Sequence, residues 1–221
     1  MPLTLYYHPF ASFCQKVLIA LYENGTPFEP RRIDLGDPAS RAELAAVWPL
    51  AKFPVLRDAE RNVVIPESSL IIDYLGRHYP GPHALIPADP EEAMRVHLWD
   101  RLFDNYVAPH VTKIVTDHFR PEGRHDPEGV EQAKALIAQT YALIERDLPP
   151  GGWACGDTFT LADCAAAPAL FYANIAVPFA QHPKITAYYE RLCARPSFAR
   201  VIDEARPYRR NFPLAWPASY A

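Results

Sequence analysis

Between Pro80 and Pro90 the sequence reads PGPHALIPADP, with four prolines in eleven residues. Proline fixes φ and removes a backbone donor, so this stretch suits neither a helix interior nor a central strand. The apolar residues on its two sides recur with different periods. Before it, short β-type runs alternate with helical ones; after it, apolar positions return only at three- and four-residue steps. The expected division is an α/β domain over 1–80, a linker over 81–90, and an all-α domain over 91–221 ending in an extended tail.

In the first half, Leu3 to Tyr7 reads as a strand and Cys14 to Glu23 as a helix that stops near Asn24-Gly25. Phe28 to Leu35 reads as a strand and Arg41 to Val47 as a short helix. Val55-Leu56 and Val63 to Ile65 flank a polar turn, Asp58 to Asn62, as a hairpin would. Ser68 to His78 closes the half as an amphipathic helix. The order βαβ-α-ββα is that of a compact sandwich on a mixed sheet. In the second half, Trp99, Leu102, Phe103, Tyr106, His110 and Ile114 share one helical stripe, and Ala133 to Leu148 carries another. Thr160 and Asp163 have capping-box spacing, with Phe159 as a staple; Pro168 is expected to bend the helix they open or end it early. Pro183 to Ala194 and Ser197 to Arg206 supply two more helices. Pro207 to Ala221 holds three prolines and four aromatics and is expected to lie extended on an apolar surface.

Charge narrows the function classes. A net charge of −4, with Arg31-Arg32 and Arg209-Arg210 the only basic doublets, offers nothing to a nucleic-acid partner. No apolar run approaches the roughly 20 residues of a membrane span. MPLTLYYHPF lacks the charged start and apolar stretch of a signal peptide, so a cytoplasmic location is expected. Cys14, Cys155, Cys164 and Cys193 form no CxxC and the histidines no HExxH; no metal is expected, and the thiols read as reduced core fillers.

Three short stretches carry chemistry. HPFASFCQKVLIAL, His8 to Leu21, passes from a turn into a helix with Ser12 and Cys14 at the join. A helix N-terminus presents unpaired N–H groups and the positive end of a dipole, which together with a hydroxyl stabilise a thiolate. Lowering a thiol pKa by about two units requires about 2.7 kcal/mol, within reach of a few charge-assisted contacts. On this stretch alone Ser12 reads first as an ordinary N-cap, the usual place of a serine at a helix start. In AKFPVL, a cis Phe53-Pro54 bond would leave the Val55 N–H and C=O on an exposed edge, where an extended peptide can pair; a trans bond would be a plain strand start. In IPESSLIIDYL, Glu67 can grip an ammonium while Ser68 and the helix start hold a carboxylate, the two groups of an amino-acid end. The simpler reading there is a serine cap with an acidic neighbour.

Taken in order, HPFASFCQKV, KFPVL, PESSLIIDYL and TFTLADCAAAP span most of the chain and resemble the cytosolic glutathione S-transferases, bacterial members with a YYHP-x-x-S-F-C start above all. The resemblance implies a thioredoxin-like domain with a mixed four-stranded sheet, an all-helical second domain, a homodimer, and glutathione as co-substrate in the cleft between domains. It implies that Val55 after cis-Pro54 pairs with the cysteinyl backbone, that Glu67 and Ser68 hold the γ-glutamyl ammonium and carboxylate, and that Lys52 takes the glycyl carboxylate. Relatives often carry their activating group three residues before the match to Cys14, where this chain has Ala11. Ser12 is therefore the first candidate, Tyr7 (beside Tyr6) the second, and Cys14 is expected to be buried. Phe10, Tyr106 and His110 are expected to line a pocket for a small hydrophobic electrophile. The expected reaction is thiolate attack on that electrophile. The alternatives are glutathione-dependent reduction of a disulfide or peroxide, isomerisation of a maleyl-type substrate with Lys113 as the cation, and a non-catalytic binding protein on the same fold.

Overall fold

A computed structural model describes residues 2–216 of the chain. The first seven elements are β1 (Leu3–Tyr7), α1 (Ser12–Glu23), β2 (Glu29–Arg32), α2 (Pro38–Val47), β3 (Val55–Asp58), β4 (Val63–Pro66) and α3 (Ser68–His78). The sheet order is β2-β1-β3-β4. β1 runs parallel to β2, because α1 carries the chain back across the sheet. β1 and β4 each run antiparallel to β3. This is the mixed thioredoxin-like sheet expected. α1 packs on α3 of its own half and on α7 and α9 of the helical half. Burial on every side explains why its sequence is a nearly unbroken apolar run without a polar stripe.

Two local devices shape this half. Asp37 caps the backbone N–H groups of Ala39 and Ser40 at 3.2 Å, so α2 starts at Pro38, three residues before the expected Arg41. Asp58 is buried at the hairpin and accepts from Glu60 N at 2.9 Å, Arg61 N at 3.1 Å, Tyr74 Oη at 2.7 Å and Tyr79 Oη at 2.6 Å. Burial opposes its ionisation, yet these donors outweigh that and hold the carboxyl below its ordinary range. The hairpin is thereby tied to α3, which carries half of the site described below.

Residues 79–89 carry neither helix nor strand. Beyond them come α4 (Pro90–Tyr106), α5 (Ala108–Asp117), α6 (Pro127–Asp147), α7 (Leu161–Ala176), α8 (Pro183–Ala194), α9 (Pro196–Ala205) and a 3₁₀ turn, Arg206–Asn211. The stripe from Trp99 to Ile114 is split at Val107, because Pro109 cannot continue the α4 hydrogen-bond ladder and instead sits in the first turn of α5. The helical phase is reset at that break. Ala108, Val111 and Ile114 turn inward, while Tyr106 is left 57% exposed.

Of the two outcomes expected at Pro168, early termination does not occur: α7 runs on to Ala176. A mid-helix proline costs about 3 kcal/mol, but α7 is buried continuously from Leu161 to Ala173 and packs on α1, α4, α5 and α8. The tail begins as the 3₁₀ turn, not as an extended segment, because Arg206 continues in helical backbone from α9. It then lies on an apolar surface as expected, with Phe212 and Trp216 against Phe10 and Tyr172. The last part of the expected tail, 217–221, lies outside the described residues.

Candidate active site

The join between β1 and α1 is a tight turn. Ala11 N donates to His8 O at 3.1 Å and Phe10 N to His8 Nδ1 at 3.2 Å. The residue with extended backbone before the helix is Ala11, and Ser12 is already helical, so Ser12 is not the N-cap. An alanine cap leaves the leading N–H groups of α1 without a side-chain partner. Ser12 is half-buried and makes no side-chain contact with another described polar group. Cys14 is fully buried, and burial pushes its thiol far up despite a hydrogen bond to the His8 backbone. It is a packing residue, in keeping with the expectation. Tyr6 packs with Ile33, Leu44 and Val55. Tyr7 is half-buried, its hydroxyl pushed up by burial first and by Glu204 second. Neither tyrosine lines the clefts described next.

The Phe53-Pro54 bond is cis. Val55 stands opposite Tyr6 on one side and Pro66 on the other. β3 is therefore an internal strand, and the exposed margin expected at Val55 is corrected: the sheet edges are β2 and β4. Ala59 N donates to Pro2 O and Ile33 N to Tyr7 O. By alternation along β3 and β1, Val55 turns its N–H and C=O to Tyr6, and the missing N–H of Pro66 opens nothing at this level. Glu67 follows with φ of 68°, a left-handed conformation for a residue with a side chain, and is the N-cap of α3 without a capping bond. Such conformations cost of order 1–3 kcal/mol and collect at ligand sites. The cis turn and this strained residue bring Lys52, Pro54, Glu67 and Ser68 around one polar cleft of about 220 Å³, to which α4 adds Arg101 and Asp104. Val55 lies next to Pro54 with its side chain wholly buried.

Beneath that cleft is a charged cluster absent from the expectations. Lys16 of α1, 1% exposed, donates to Ser69 Oγ at 2.9 Å, to Asp104 at 2.7 Å and to Asp100. Arg101 also bonds Asp100 and Asp104, each at 2.7 Å. Two cations and two carboxylates neutralise one another, as buried charges must. Burial pushes the Asp104 carboxyl up, with Lys16 opposing. The cluster locks α1, α3 and α4 together under the cleft. A lysine inside an otherwise apolar helix was the sequence signal for it, since buried lysines are nearly always paired.

A second cavity, of about 350 Å³, opens beside the first. Its walls include Phe10, Phe13, Phe53, Val111, Phe119 and Phe212, and among the described residues no Lys, Arg, His, Asp or Glu lines it. Tyr106 and His110 do not line the cavity, because the break at Val107 turns Ala108, Val111, Thr112 and Val115 to it instead. Lys113 points elsewhere and pairs with Asp126. The two cavities share Phe13 and Phe53, and Ser12, next to Phe13 on the first turn of α1, lines the apolar one. Among the described residues, no group of His, Cys, Asp or Glu side chains is placed to hold a metal ion, and no helix is long and apolar enough to cross a membrane.

Residues 5–83 match the family model described as Glutathione S-transferase, N-terminal domain, and residues 127–191 the one described as Glutathione S-transferase, C-terminal domain. Glutathione S-transferase 3 of Zea mays is 30% identical to the chain, across 91% of it and 93% of the relative. A stringent starvation protein A homolog of Coxiella burnetii is also 30% identical, across 95% of both. Among solved structures, a glutathione S-transferase from Methylobacterium radiotolerans, in complex with glutathione sulfonate, is 30% identical, with a TM-score of 0.79 over 90% of this chain and 93% of that one.

Proposed function

The chain belongs to the glutathione S-transferase family, and from that premise we propose that it activates the thiol of bound glutathione for attack on a small hydrophobic electrophile. The observation that carries this reading is the meeting of a polar cleft and an apolar cavity at the start of α1. In the polar cleft, Glu67 takes the γ-glutamyl ammonium, and Ser68 with the α3 N-terminus takes its carboxylate. Lys52 reaches the glycyl carboxylate. The cysteinyl part of the tripeptide meets the cis Phe53-Pro54 turn in the cleft wall, ahead of the internal strand β3. The sulfur then arrives at the first turn of α1, where the helix dipole, the free N–H groups and the Ser12 hydroxyl favour its anion. The thiol proton leaves to solvent; the thiolate forms a C–S bond to an electrophile held in the apolar cavity and expels its leaving group. Holding both reactants in adjoining clefts contributes most of the rate.

The uncharged wall of the cavity favours a neutral electrophile and disfavours isomerisation of an anionic maleyl substrate. Reduction of disulfides remains weaker, since the chain has no CxxC to cycle. A binding protein on the same fold is the second reading, favoured by one relative that bears no transferase name and by alanine at the cap. We further propose a cytoplasmic homodimer, with the exposed apolar side chains Val63, Val64, Leu70, Met94 and Leu98 of β4, α3 and α4 as its interface.

Parallel assays with glutathione and an aryl halide, a peroxide or a mixed disulfide separate these readings. Conjugation of the aryl halide should dominate, and Ser12→Ala should lower its kcat about tenfold, the loss of one charge-assisted hydrogen bond. Unchanged turnover in Ser12→Ala would assign thiolate stabilisation to the backbone alone. Glutathione binding without turnover of any of the three substrates would favour the binding protein.

A further inference from the structure

We propose that Gln15 and Tyr172 form a positioning pair that aims the thiolate-stabilising N–H groups of α1 without touching glutathione; this rests on the transferase reading above. Gln15, on α1, is 2% exposed. Its Nε2 donates to Pro9 O at 2.9 Å and to Tyr172 Oη at 3.0 Å. Tyr172, on α7 in the helical half, donates in turn from Oη to Phe10 O at 2.9 Å. One side chain from each half thus holds two consecutive carbonyls of the active-site turn.

Peptide planarity makes this a constraint on the donors as well. The carbonyl of one residue and the N–H of the next lie in one rigid plane. The plane joining Pro9 to Phe10 is held at its oxygen by Gln15 and at its N–H by His8 Nδ1. The plane joining Phe10 to Ala11 is held at its oxygen by Tyr172 and at its N–H by His8 O. Four bonds therefore fix two successive planes, and the chain enters α1 in one direction. Ala11 has no side chain with which to cap the helix, so no group of the cap residue itself can supply that control. The N–H groups of Ser12 and Phe13 follow immediately, where both cavities meet. Burial holds the Tyr172 hydroxyl protonated, and its donation to Phe10 O is retained at every working pH. The Tyr172 ring also lines the electrophile cavity, 5.6 Å from Phe10 and 5.5 Å from Phe212 between ring centres. Floor of the cavity and aim of the turn are thus set by the same residue.

Two variants test the pair: Tyr172→Phe, which keeps the ring, and Gln15→Met, which keeps the volume and does not line the cavity. In each, the thiol pKa of bound glutathione, read by thiolate absorbance, should rise about one unit. The kcat for conjugation should fall about tenfold at pH 6.5 and approach the wild-type value at high pH. The Kd for S-methylglutathione, which has no thiol proton, should stay within about twofold of wild type. A role in packing alone would lower the melting temperature and leave the pH profile where it was. Folded variants with the wild-type thiol pKa would overturn the proposal while leaving the transferase reading intact. Absence of any depressed thiol pKa in the wild type would overturn both.

Discussion

Replacing Asp163 with alanine is expected to lower the free energy of unfolding by about 3–5 kcal/mol, the range for breaking a buried, hydrogen-bonded charge. Asp163 has no exposed surface and sits in the first turn of α7. Its carboxylate accepts from Ala154 N at 2.8 Å, Thr160 N at 2.8 Å, Thr160 Oγ1 at 3.0 Å and Tyr188 Oη at 2.6 Å. Truncation would leave these buried donors unpaired, each at about 1–3 kcal/mol before relaxation. It would also remove a negative charge from the favourable end of the helix dipole. Asp163→Asn keeps one acceptor oxygen and the shape, and should cost about half as much on the same reasoning. Urea unfolding at fixed protein concentration reads both, as a lower midpoint at constant slope. A loss under about 1 kcal/mol in Asp163→Ala would mean that the donors find other partners and that α7 is held by packing alone. The consequence reaches the site, because α7 carries Pro168, Ala169 and Tyr172 to the apolar cavity.

Glu67→Ala is expected to weaken glutathione binding by about 10- to 100-fold, matching the 1.5–3 kcal/mol of a hydrogen bond to a charged group. Glu67→Gln keeps an acceptor without the charge and should lie between it and the wild type. Glu67→Gly separates binding from folding. Glycine adopts a positive φ without a Cβ penalty, so this variant should gain about 0.5–1 kcal/mol in relieved strain, less its own unfolded-state entropy. It should nevertheless bind glutathione as poorly as Glu67→Ala. Isothermal calorimetry gives the affinities and thermal melts the stability. Equal affinity across the three variants and the wild type would remove Glu67 from the γ-glutamyl grip. Binding lost in proportion to stability would make it a folding residue only.

Much of this site was legible because its parts are local. Phe-Pro before a β pair marks the place of the turn, though not that its bond is cis, and Glu67-Ser68 after a strand marks the helix start of α3. The capping aspartate of α7 is visible from Thr160 three residues earlier. What stayed hidden depends on residues far apart in the chain. Lys16 meets Asp100 and Asp104 across the two halves, and Gln15 meets Tyr172 in the same way. Spacing within one segment cannot express either contact. Tyr106 and His110 illustrate a different limit. Their three- and four-residue steps fit a single helix, but Pro109 resets the phase, and a stripe read through a break names the wrong face. Ser12 was one position off for a related reason: boundaries are set by the backbone of the cap, and alanine carries no side-chain signal for it.

Thiolate absorbance of the wild-type protein saturated with glutathione, followed across pH, tests the thiol-activating cradle at the start of α1 most directly. The expected result is a bound thiol that titrates about two units below the ordinary thiol value near 8.5, with the anion predominating at neutral pH. A bound thiol that titrates where free glutathione does would contradict it, and the chain would then hold the tripeptide without activating its sulfur.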